Sequence, residues 1–133
     1  MPFSIENKEF SVIKITVVGT ITLDELKKIL GVLTRVFQTK KHFAFYVHCN
    51  FTEVPSDITQ LTKYLISWMK ESHHDLINYL QASSLIVKSD VIATVINGVF
   101  KLQPTVKPNY ITTNYKLGEQ FVFEIMKKFS KKV

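Results

Sequence analysis

The residues of this chain that could do chemistry are a few imidazoles, one thiol and two serine–acid pairs, and their spacing decides what each can do. His48 adjoins Cys49. A thiol beside an imidazole is the start of an activated nucleophile. Neighbours along a strand point to opposite faces, however, so these two cannot pair, and Cys49 reads as a small buried residue. His73, His74 and Asp75 are a candidate metal cluster. Adjacent histidines on a helix do not share a face and no H-E-x-x-H spacing is present, so no metal ligation is expected and the stretch reads as a solvated turn. Gly19, Gly31, Gly98 and Gly118 stand alone, which excludes a glycine-rich phosphate loop. Ser56-Asp57 remains. The hydroxyl suits a free backbone N–H at a helix start and the acid suits the helix dipole, so capping is the first reading and chemical modification the second. Ser89-Asp90 repeats the device. No catalytic residue, metal or cofactor is expected, and the chain reads as a non-enzyme.

The elements that must position these residues follow from hydrophobic periodicity. Residues 3–5 and 9–19 flank the polar pair Asn7-Lys8 and predict a hairpin turning there. Ile13, Ile15 and Val17 alternate with Lys14 and Thr16, which gives that strand one wetter face. Thr22 and Glu25 form a T-x-x-E capping box. Leu23, Leu26, Ile29, Leu30, Leu33, Val36 and Phe37 then continue a helical stripe. HFAFYVHC (42–49) is apolar on both faces, the mark of a central strand. A second helix is predicted over 56–70, and 73–80 has helical spacing too. ASSLIV (82–87) is a buried strand, and a helix starts at Ser89-Asp90. NYITT (109–113) follows Pro108 and so belongs at a sheet edge. The last helix starts near Asn114. The order β-β-α-β-α-β-α-β-α predicts an α/β fold with a mainly parallel sheet and an N-terminal antiparallel hairpin.

Length and composition agree with one domain over 1–133. The sole cysteine excludes an intrachain disulfide and fits a reducing compartment. MPFSIENKEF has no basic region ahead of an apolar stretch, so no signal peptide is expected. No apolar run is long enough to span a bilayer. A cytoplasmic location is the expectation.

The stretch YLQASSLIVKSDVIATVINGVFKLQPTVKPNYITTN (79–114) joins a buried strand, a short polar turn, an apolar helix ending in Phe and a last strand. With the element order, it resembles the STAS domain of sulfate transporters and anti-sigma factor antagonists. The -F-K-L-x-P-x-V-K-P- run is similar to a STAS-like branch grouped with the CRAL-TRIO core. The resemblance implies a non-enzymatic regulatory module that docks protein partners. It also implies a phospho-acceptor at the start of the second helix, where Ser56 is the match and Thr52 the second. NFTEVPSDITQL lacks the Asp and Gly of the family's D-S-x-G-like motif.

In such a sheet all the parallel strands end at one pole. That pole should gather Asn50, Glu53, Asp57, Ser89 and Asp90, a surface for a protein partner; its acids oppose an anionic ligand. The opposite pole should gather lysines, with Lys127, Lys128, Lys131 and Lys132 in the last helix. They complement the helix dipole and offer weak attraction to an anionic membrane. The formal charge of +6 allows nucleic acid too, but the aromatics fall on core stripes, so no sequence-specific recognition is expected. The first functional reading is a protein-interaction module. The alternative is a peripheral membrane or lipid-associated module, and the two differ in whether the core is filled or holds an apolar pocket of lipid size.

Overall fold

The computed structural model describes residues 3–50 and 53–132; Thr52 and the side chain of Lys132 lie outside them. Five strands form one sheet in the order β1-β2-β3-β4-β5. They are β1 (Phe3–Lys8), β2 (Val12–Val18), β3 (Phe43–Asn50), β4 (Leu80–Ile86) and β5 (Asn109–Thr112). The pair β1/β2 is antiparallel and every other pair is parallel. The helices are α1 (Leu23–Gln38), α2 (Ile58–Glu71), α3 (His73–Tyr79), α4 (Asp90–Leu102) and α5 (Tyr115–Lys132). This is the mainly parallel α/β arrangement that the periodicity predicts. The two-faced apolar strand β3 lies at the centre and Pro108 leads into an edge strand.

Three local expectations are corrected. The hairpin does not turn at Asn7-Lys8, because both belong to β1. The turn is Glu9–Ser11, with Phe10 and Ser11 in the left-handed region at φ 60° and 59°. The register Phe3↔Val17 and Ile5↔Ile15 explains it. Turning later puts the apolar side chains of both strands on one buried face, and that burial outweighs the turn preference of the polar pair. The second correction concerns Ser56, which is not the cap of α2. Asp57 takes that position without a side-chain bond, and its carbonyl accepts from Gln60 and Leu61. Pro55 is buried against the core while Ser56 stays exposed, so the helix starts later than the sequence suggests. Residues 73–75 are the first turn of α3 rather than a loop.

The other starts are as read. The Ser89 hydroxyl accepts from Ile92 N at 3.3 Å and Asn114 Oδ1 accepts from Leu117 N at 3.1 Å. Thr22 Oγ1 accepts from Glu25 N at 3.3 Å, and it donates to Glu25 Oε1 at 2.9 Å. Alternation along the strands sorts the core onto two sheet faces. One face carries Val12, Ala44, Tyr46, Ala82 and Ile86 under Val122 and Met126 of α5. The other carries Ile13, Ile15, Val17 and Phe43 under α1, α2 and α3, with Val87 and Cys49 beside Ile92 of α4.

Candidate functional site

The second face encloses a cavity of about 230 Å³. Its floor is Ile15, Val17, Phe45, Val47 and Leu85, and its walls come from α1, α2 and α4, among them Leu30, Leu65, Trp68, Val95 and Phe100. Burial shows the same space independently. Phe45, Val47 and Leu85 lie in the two innermost strands beneath helices, yet each is only partly buried. Such positions are normally closed off altogether. The helices take this course because each carries its own apolar stripe. That of α1 is Ile29, Leu30, Leu33 and Phe37, while α4 places Ile92 and Val99 inward. Trp68 is held on one wall by its Nε1–H, which donates to Thr34 Oγ1 at 3.0 Å, and by stacking on Phe37 at 6.0 Å between centroids.

Polar groups are few in this cavity: Thr62 comes from α2, and most of the others gather at its β4–β5 end. Ser83 Oγ donates to Asn109 Oδ1 at 2.8 Å across paired strands. Thr105 and Lys107 line the wall beside them, and no Asp or Glu contributes. Toward the ends of the parallel strands, Val54, Pro55 and Ile58 close the rim. Cys49 also lines the space. Burial pushes its thiol up to about 12, so it stays protonated near neutral pH and is a poor nucleophile.

The residues singled out in the sequence fall as follows. Asn50 ends β3, and Ser89 and Asp90 open α4 just beyond the neighbouring β4, so they share one pole. Asp57 opens α2 after the same strand, with Glu53 and Ser56 exposed in the loop between. The Ser89 hydroxyl is committed to its cap. Lys127, Lys128 and Lys131 are exposed along the last turns of α5, and Lys127 Nζ sits 5.7 Å from the Phe10 ring centroid. His74 Nε2 meets Asn78 Nδ2 at 2.9 Å on an exposed surface. Among the described residues no group of His, Cys, Asp and Glu is placed to hold a metal ion.

Sequence reasoning missed two arrangements. One is the polar end of the cavity, whose signal was the Ser83-Ser84 pair inside a buried strand, where each hydroxyl needs a partner. Ser84 bonds the other way, donating to the Gly118 carbonyl of α5 at 2.7 Å. The second is a cluster on the α5 face. Tyr46 donates to Glu119 Oε2 at 2.8 Å and Tyr115 donates to the same oxygen at 3.2 Å. Burial, then the bond with Tyr115, holds the Tyr46 phenol well above its ordinary range. Lys14 lies over the Tyr115 ring, and the nearness of Tyr115 raises its ammonium pKa. The two tyrosine hydroxyls share the Glu119 carboxylate, so the cluster ties α5 to β3.

No family model matches the chain, and no curated protein matches it. Among solved structures it is similar to an uncharacterised protein of the DUF3478 family with a SpoIIAA-like fold, from Shewanella loihica PV-4. The TM-score is 0.58 and the identity 8%, over 90% of this chain and 91% of that one. The chain therefore has the SpoIIAA-like, STAS-type fold that its sequence resembles. Among the described residues no helix is long and apolar enough to cross a membrane.

Proposed function

We propose that this chain is a non-enzymatic STAS-type module that holds an apolar ligand between its sheet and the helices α1, α2 and α4. The observation that carries this reading is the cavity: about 230 Å³, mostly apolar in its lining, with central-strand side chains left partly open. An engineered apolar cavity of roughly 150 Å³ stays dry and takes a benzene, so by scaling this partly open space holds about nine carbons, most of a ten-carbon chain, with the head group at its mouth. The cavity reverses the order of the two readings drawn from the sequence. Protein docking stands second. It is supported by Val91 at 64% exposure and Val54 at 37%, apolar side chains among Glu53, Asp57 and Asp90 at the acidic pole.

Trp68 supplies the test, since it is the only tryptophan and lines the cavity. Titration with decanol should change its emission saturably. Val95→Phe, which places a ring in the space, should abolish the change while the protein stays folded by circular dichroism. A wild-type titration with no saturable change would remove the reading.

A further inference from the structure

Most polar residues of the cavity (Ser83, Thr105, Lys107 and Asn109) come from β4, β5 and the connection before β5, and Thr62 of α2 stands apart from them. Among the described residues, Lys107 is the only charged one in the lining. It is partly buried, and among the described residues the one ion pair is Lys8–Glu6, so no carboxylate neutralises it. A charge at the edge of an apolar space carries a desolvation cost that a counter-charge would relieve. Beside it, Ser83 spends its proton on Asn109 Oδ1. Asn109 is thereby oriented with its amide NH2 turned away from that bond, and among the described residues this NH2 donates to no protein acceptor. The corner therefore presents donors and a cation, with no competing acid.

The backbone that carries Lys107 is held in place. Pro104 and Pro108 bracket the connection from α4 to β5 and restrict its dihedrals. The Pro108 carbonyl accepts from Ser83 N at 3.0 Å, which pins the segment to β4 next to the corner. A lysine whose backbone is held in the lining of a mostly apolar space would suit a molecule with one anionic end and one apolar chain.

We infer that the cavity takes a single-chain amphiphile with an anionic head group, carboxylate or phosphate, whose head lies against Lys107 and Asn109 and whose chain lies over Phe45, Val47 and Leu85. This rests on the reading of the cavity as an apolar ligand site. The opposing account is that Lys107 merely covers apolar surface with its stem and holds its ammonium in water.

The two separate in a binding series on the full chain, below the micelle concentration of each compound. Decanoate and decyl phosphate are compared with decanol and decyltrimethylammonium, by calorimetry and Trp68 emission. A charge-assisted bond in a partly desolvated site should make at least one anionic compound bind about tenfold more tightly than decanol, with the ammonium compound weakest. Which anion binds more tightly identifies the head group. Lys107→Met keeps the apolar stem and should erase the anionic preference, so that anions bind no more tightly than decanol measured on the same variant; Lys107→Glu should invert it. Equal affinity of the wild type for anions and decanol, or a preference that survives Lys107→Met, overturns the inference and leaves the apolar site standing. Failure of decanol itself to bind overturns both.

Discussion

On one face of the sheet a single helix, α5, leaves Val12, Ala44, Tyr46, Ala82, Ile86, Val122 and Met126 at 2% exposure or less. On the other, four helices line a cavity above side chains of the same central strands. The difference lies in how closely each helix can approach. Strand residues under α5 include Ala44, Ala82 and Ser84, and the helix presents Gly118, where an added Cβ would overlap Ile86 Cγ1 and come within 2.8 Å of its Cδ1. Ser84 completes the contact by bonding the Gly118 carbonyl. Opposite, Phe45, Val47 and Leu85 line the cavity together with Trp68, Phe100 and Leu65, so large side chains come from both surfaces. More covering helices therefore do not mean a fuller core, because side-chain size at the contact sets the closure.

Truncations on the two faces give the largest contrast. Met126→Ala should destabilise the protein by about 2–5 kcal/mol, since a packed wall cannot follow the lost atoms. Leu65→Ala removes a side chain already beside open space and should cost about 1 kcal/mol. Parallel urea titrations of the two variants measure this, and equal losses would mean that the faces are packed alike.

A smaller effect marks the border of the α5 face, where His48 stands edge-on to Tyr115 at 4.9 Å. Burial, then the charges of Lys14 and Lys88, lowers its pKa below the ordinary 6.5. The unfolded chain therefore binds the proton more readily than the folded one. The stability tied to neutral His48 is complete above that ordinary value and is lost as pH falls through the lowered one. Thermal melts across that window should show His48→Gln less sensitive to acid than the wild type. An unchanged slope would show that His48 is not the group responsible.

Much of the fold was legible because periodicity reports which way a side chain points. The stripe from Ile29 to Phe37, the two-faced β3 and the caps at Ser89 and Asn114 all carry that signal. What periodicity lacks is depth. It marks Phe45, Val47, Leu65 and Val95 as inward, but whether the space between them is filled depends on the distance between layers, which no local pattern encodes. Ser56 misled for a related reason. The serine–acid pair fits a helix start, but the docking of Pro55 into the core moves that start along the chain. Nothing in the local pattern around Lys107 marks it as a cavity residue, and only the fold of its connection brings it into the lining.

The central claim is that one face of the sheet is open to an apolar ligand and the other is not. The most direct measurement is methyl NMR of the full chain during a decanol titration, with Val47, Leu65, Leu85 and Val95 reporting on the cavity and Val12, Ile86 and Val122 on the α5 face. The account predicts saturable shifts in the first group with a common dissociation constant, and none in the second beyond the Ile86 and Val12 background seen in the Val95→Phe variant. Shifts absent from the cavity methyls, or equal on both faces, would contradict it.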